Sequence, residues 1–169
     1  LRLSGCEPTL GKEHLLRLLK YVEKSGYPFY LETNGILLGA DIDYVKKLSE
    51  FSKFIYVRVS FKAATPEGFT ERTGAIGKYY ELPFEALKYL LDEGINARAA
   101  AMTDSKVMPK EERNILTERL NEIDPTARYS ETLEEETIDA YDTTLGRLRA
   151  SSDLKFAKKL EKEILRRGR

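Results

Sequence analysis

The chain has 169 residues, 41% apolar and 33% charged, which is one domain's length and enough to bury a core without a disulfide or metal staple. Lys plus Arg and Asp plus Glu number 28 each, for a net charge of zero, so the composition gives no support to a nucleic-acid or membrane-surface footprint. The one cysteine, Cys6, rules out an intramolecular disulfide and fits a reducing cytoplasm, and no apolar run approaches the roughly 18 residues of a membrane span.

Leu1-Arg2-Leu3-Ser4 alternates apolar and polar and stops at Gly5, which predicts a short strand. Because the sequence opens inside that strand on Leu1, a preceding segment is expected. Residues 12 to 25 place Leu15, Leu16, Leu18, Leu19 and Val22 on a helical stripe, and Gly26 stops it. Phe29 to Glu32 predicts a second strand, broken by Thr33-Asn34-Gly35. A second helix is expected over 41 to 51, with Ile42, Val45 and Leu48 inward. Lys53 to Phe61, rich in β-branched and aromatic residues, predicts a third strand. Thr65 and Pro66 open a short helix as its cap and first residue. A longer helix follows over 79 to 93, with Pro83 in its first turn or forcing a later start. Ile95 to Met102 predicts a fourth strand and Pro109 to Ile123 a helix. Arg128 to Thr132 is expected as a fifth, weaker strand, with charged helical sequence from about Thr143. The stretch Lys155 to Arg169 has the pattern of an amphipathic terminal helix. This division gives an α/β core over 1–140 and a helical extension over 141–169.

Alternating strands and helices imply parallel strands with right-handed crossovers. The sheet closes either as an open doubly wound sheet or as a partial barrel, since four or five strands are too few for a complete eight-stranded barrel. In parallel α/β folds the working residues sit at the carboxyl ends of strands. Those ends carry Ser4-Gly5-Cys6-Glu7-Pro8-Thr9, Glu32-Thr33-Asn34-Gly35, Ser60-Phe61-Lys62 and Met102-Thr103-Asp104. Such a rim suits a zwitterionic ligand: Glu7 offers a carboxylate to an ammonium, and Lys62 an ammonium to a carboxylate. Competing readings stand beside these. Glu7 also fits a helix-start acid, Asn34 and Gly35 a tight turn, and Ser60 and Lys62 a solvated strand end. Asp104 fits a loop residue or cap, His14 a surface histidine, and Glu134-Glu135-Glu136 a solvated face or helix start.

Ser4-Gly5-Cys6-Glu7-Pro8 resembles the Gly-Gly-Glu-Pro motif of radical S-adenosylmethionine proteins, with Cys6 at the second glycine position. Thr33-Asn34-Gly35 is similar to the family's third-strand ending, and Val57 to Lys62 to its fourth strand. Thr65 to Phe69 followed by Thr73-Gly74 resembles activating-enzyme-like and molybdenum-cofactor-biosynthesis-like members. The resemblance spans roughly residues 1 to 105 and implies a partial (β/α) barrel lacking its first strand. It implies S-adenosylmethionine as cofactor, held by Gly5, Cys6, Glu7, Pro8, Thr33, Asn34, Ser60 and Lys62. It also implies a 4Fe-4S cluster, on three cysteines spaced Cys-x3-Cys-x2-Cys, at which the cofactor is cleaved to a 5′-deoxyadenosyl radical. One cysteine cannot supply three thiolates, so the cluster loop is expected upstream, and the chain by itself is expected to be inactive with no metal ligand of its own. The partners implied are an electron donor and a small-molecule or protein substrate, with edge pairing or dimerisation through the first strand. The alternatives are a cluster-free flavodoxin-like domain that binds a nucleotide or a partner, and a family member kept as a non-catalytic scaffold.

Overall fold

A computed structural model describes residues 1–105, 107–136 and 141–150, together with 158, 161, 162, 165 and 166. In chain order the elements are β1 (Arg2–Leu3), α1 (Lys12–Glu23), β2 (Phe29–Thr33), α2 (Ile36–Ala40), α3 (Ile42–Ser49), β3 (Ile55–Phe61), α4 (Pro66–Thr73), α5 (Leu82–Asp92), β4 (Asn96–Met102), α6 (Lys110–Ile123), α7 (Tyr129–Thr132), β5 (Glu134–Glu136) and α8 (Asp142–Ala150). Single 3-10 turns over Pro8–Gly11 and Gly77–Glu81 lead into α1 and α5. The terminal helix expected over 155 to 169 lies mostly outside the described residues.

The strands form one parallel sheet in the order β1-β2-β3-β4-β5. A doubly wound sheet reverses its strand order near the middle and takes helices on both faces. Here the order never reverses, and burial alternates strictly along β3, from Ile55, Val57, Val59 and Phe61 inside to Tyr56, Arg58 and Ser60 half-buried. Phe29, Leu31, Val57, Val59, Ala97 and Ala99 share one core with Leu15 and Leu19 of α1, Leu48 of α3, Leu87 and Leu90 of α5 and Leu116 of α6. Among the described residues the opposite face stays open. A sequential sheet with helices along one face is the partial barrel, so the flavodoxin-like alternative fails on topology.

Local signals act as the sequence suggests at several joints. The Thr65 hydroxyl accepts from the Gly68 amide at 3.1 Å, and Pro66 takes the first turn of α4. Asp41 caps α3 by accepting from the Tyr44 amide at 3.1 Å. The helix expected over 41 to 51 is α3, and α2 is an additional short helix before it; the cap leaves Ile42 42% exposed, with Tyr44 turned inward in its place.

The fifth strand is displaced. Arg128 to Thr132 is not a strand: Tyr129–Thr132 is one helical turn, and the strand is Glu134–Glu136. Three consecutive glutamates oppose strand propensity, and tertiary pairing overrides it. Glu134 and Glu136 alternate onto the open face, where Arg58 donates to both. Glu135 projects the other way and accepts from Arg113 and from the Thr103 hydroxyl.

Helices α2 and α5 meet at their closest on Gly39, where an added methyl would overlap the Leu82 carbonyl. A substitution that forces packed backbone apart costs about 3 kcal/mol. Gly39→Ala is expected to lose that much in denaturant unfolding. Gly146→Ala in α8, with open space around it, is expected to gain about 0.5–1 kcal/mol from helix propensity.

Candidate functional site

Two consecutive left-handed residues, Gly5 at φ 87° and Cys6 at φ 50°, turn the chain sharply after β1. Glu7 then returns to extended backbone and caps the turn Pro8–Gly11, with Pro8 at its start. Its carboxylate spans two strand ends. Oε1 accepts from the Thr9 amide at 3.1 Å, the Thr9 hydroxyl at 2.5 Å and the Thr33 hydroxyl at 2.7 Å. Oε2 accepts from the Asn34 amide at 2.7 Å. Both readings of Glu7 thus meet in one residue: it caps a helical turn and fastens the end of β1 to the end of β2.

The Thr33-Asn34-Gly35 ending serves the same junction. The Thr33 hydroxyl, while donating to Glu7, accepts from the Gly35 amide at 3.1 Å. Asn34 Oδ1 accepts from the Ile36 amide at 2.9 Å and so opens α2. Gly35 has φ 76°, and a Cβ there would come within 2.9 Å of Val59 and 3.0 Å of the Pro83 backbone. The turn therefore requires glycine on two grounds, conformation and packing.

A buttress that the sequence reading did not identify stands behind Glu7. The buried Tyr44 hydroxyl donates to the Thr9 carbonyl at 3.2 Å. Burial, with the negative charge of Glu7, Asp41 and Glu13, pushes the Tyr44 phenol up to about 12. Lys12 donates to Asp41 at 2.7 Å and lies over the Tyr44 ring; that hydrogen bond is the main cause holding the Asp41 carboxyl below its usual range. The signals were present as an aspartate cap and a lysine 29 residues apart, but only the fold joins them.

At the end of β3, Lys62 donates to the Ser60 hydroxyl at 2.8 Å, and Glu136 lies 3.6 Å from its ammonium. No hydrogen bond joins this pair to the Glu7 cluster among the described residues. The two groups share the carboxyl-terminal rim with β2 between them. Beneath Lys62, the buried Arg72 donates to the Lys62 carbonyl at 3.0 Å and pairs bidentately with Glu112, whose Oε1 also accepts from the Ala64 amide at 2.9 Å. Arg72 and Glu112 side chains are 2% and 10% exposed, so this pair locks the loop after β3 onto α4 and α6. Asp104 accepts through its carbonyl from the Val107 and Met108 amides, both at 2.8 Å, as a turn residue does. His14 is exposed on α1.

The open face is layered by the strand register. Arg2, Tyr30, Tyr56 and Asn96 align in a row at the amino-terminal floor; Glu32, Arg58 and Arg98 form the next row; Ser60, Ala100 and Glu134 the third. Arg58, its side chain 12% exposed, donates to Glu134 and Glu136 at 2.8 Å each and lies 3.8 Å from Glu32. Burial works against its charge, but these partners outweigh burial and raise its affinity for the proton. The Arg58 hydrogen bond holds Glu134 below the usual carboxylate range, and the Arg113 and Thr103 hydrogen bonds do so for Glu135. Burial opposes ionisation of Glu136, and Arg58 and Lys62 still hold it low.

Two outcomes follow from this geometry. Cys6→Gly is expected to raise stability by up to about 1 kcal/mol in denaturant unfolding, because glycine removes the left-handed cost of a Cβ. The three lowered glutamates of β5 add stability that is complete above the ordinary value of about 4.3 and is lost as pH falls through the depressed native values. Unfolding midpoints should drop across that window, and Arg58→Met should both lower the midpoint at neutral pH and flatten the drop.

The sequence matches the Radical SAM superfamily over residues 1–118. No curated protein matches it. Among the described residues no cluster of three or more His, Cys, Asp or Glu side chains is placed to hold a metal ion, and the sequence contains one cysteine. These residues therefore do not fit a 4Fe-4S cluster held by three thiolates. They do offer, at the rim, a carboxylate and an ammonium on strand ends with β2 between them, which is the donor set a zwitterionic cofactor needs. With a parallel sheet wound on one face and a family match over 118 of 169 residues, this chain belongs to the radical SAM superfamily.

Proposed function

We propose that this chain binds S-adenosylmethionine along the carboxyl-terminal rim of its sheet, as the cofactor-binding part of a radical SAM enzyme. Reductive cleavage of that cofactor at a 4Fe-4S cluster is general for the superfamily. The observation that carries the reading is the uneven loading of Glu7. Oε1 takes three donors and Oε2 one. A carboxylate oxygen has two lone-pair sites, so Oε2 keeps capacity for the methionine ammonium.

Each further residue has a proposed task. Thr33 and the Asn34 amide position Glu7, and the Asn34 side-chain amide faces the ribose. Gly5 and Cys6 shape the turn, and Pro8 fixes its exit. Lys62, steadied by Ser60, meets the methionine carboxylate. The finer likeness to activating-enzyme-like and molybdenum-cofactor-biosynthesis-like members rests on residues 65 to 74. In that stretch Arg72 is committed to Glu112, so it frames the loop and does not contact a ligand. The boundary between core and helical extension near residue 140 is part of the same proposal.

Titration with S-adenosylmethionine, followed through backbone amide resonances, tests it. Shifts are expected over Gly5 to Thr9 and at Asn34 and Gly35. Glu7→Gln should weaken binding about tenfold, the size of one charge-assisted hydrogen bond, in a variant that keeps its circular dichroism. Rim resonances that stay still at saturating cofactor would refute the reading.

A further inference from the structure

The floor of the open face is a cavity of about 590 Å³, within the range of small-molecule sites. It lies away from the rim: from Tyr56 to Lys62 is about 20 Å of strand. Its wall sets charged and amide groups beside the apolar surface of Tyr30, Tyr56 and Val57. Complete barrels of this general type fill the interior with branched aliphatic side chains, whereas here the rows present arginine, glutamate, tyrosine and asparagine.

The balance of hydrogen-bonding capacity identifies what such a wall would take. Three guanidinium groups, Arg2, Arg58 and Arg98, face the cavity against two carboxylates, Glu32 and Glu134. Both carboxylates are already engaged, Glu32 by Arg2 and Glu134 by Arg58, with Arg98 3.4 Å away. Glu134 Oε2 has no hydrogen-bond partner of its own, and the exposed spare capacity is on donors: the Arg2 and Arg98 side chains are each 65% exposed, and the Tyr30 and Tyr56 phenols stack with ring centroids 5.1 Å apart between them. Two exposed guanidiniums with spare N–H groups, beside aromatic surface, are complementary to an oxyanion carried on an apolar body.

The geometry points to the cavity floor as a binding site for an anionic organic molecule, one bearing a phosphate or carboxylate that meets Arg2 or Arg98 while its apolar part lies against Tyr30 and Tyr56. A ligand anchored there extends over the open face of the sheet toward the rim. Calling it the substrate rests on the function proposed above; the binding site does not.

The test uses the full chain, its amide resonances, and three probes: phenyl phosphate, benzoate and benzyl alcohol. Phenyl phosphate, benzoate or both are expected to shift Arg2, Tyr30, Tyr56 and Arg98, and the stronger of the two names the anion. Arg2→Gln or Arg98→Gln should weaken that probe about tenfold. Arg98→Lys, which keeps the charge, should weaken it less, and added salt should weaken it as well. Equal binding of benzyl alcohol, shifts confined to other surfaces, indifference to both arginine substitutions, or no response from any probe would overturn the proposal. S-adenosylmethionine is read at Gly5 to Thr9 and the anion at the floor, so either site can fail while the other stands.

Discussion

A guanidinium in the middle of a parallel sheet has to be neutralised where it stands, and Arg58 sets that requirement for this fold. Its side chain is 12% exposed, and it has Glu134 and Glu136 at 2.8 Å and Glu32 at 3.8 Å. A charge so placed without partners would cost several kcal/mol. The acids that answer it come from β2 on one side and from β5, beyond β4, on the other, so one guanidinium ties together three strands of the sheet. β5 is the clearest result. It is three glutamates long, has no apolar side chain of its own, and is held by Arg58, Arg98 and Lys62 on one face and by Arg113 and Thr103 on the other.

The same division of labour runs through the molecule. The helix-facing side of the sheet is apolar and closely packed, and glycines at 35 and 39 allow α2 to sit against α5. The open side is charged and internally paired. Between them, at the rim, Glu7 and the Arg72–Glu112 pair each tie a loop to a strand end through several hydrogen bonds. A ligand at that rim would therefore meet groups already oriented by the scaffold, so little ordering would remain to be done on binding.

Membership of the radical SAM superfamily accounts for the strand–helix order and the rim motifs, while the chain's single cysteine keeps cluster ligation apart from these residues. β5 lies beyond the matched span of 1–118, yet it reaches back to Lys62 through Glu136. The electrostatics of the rim are therefore set partly from outside the shared region.

The sequence by itself determined the strands β1 to β4, the helices between them apart from α2, and their parallel direction, because hydrophobic period, Gly stops, the Thr65 cap and Pro66 act over a few residues. It also determined which strand ends carry polar chemistry, since Glu7, Thr33, Asn34, Ser60 and Lys62 each fall where a strand pattern stops. It did not determine how those residues are used. Only the tertiary structure decided that Glu7 bonds to Thr33 and Asn34 across 26 and 27 residues, that Tyr44 and Lys12 stand behind it, and that the described residues leave one face of the sheet open. Above all, it decided that Glu134 to Glu136 is a strand and Arg128 to Thr132 is not. Local propensity argues against a strand of glutamates. Arg58, which reverses the balance, lies 76 and 78 residues away in sequence from Glu134 and Glu136, and no local pattern can register a charge pair that distant.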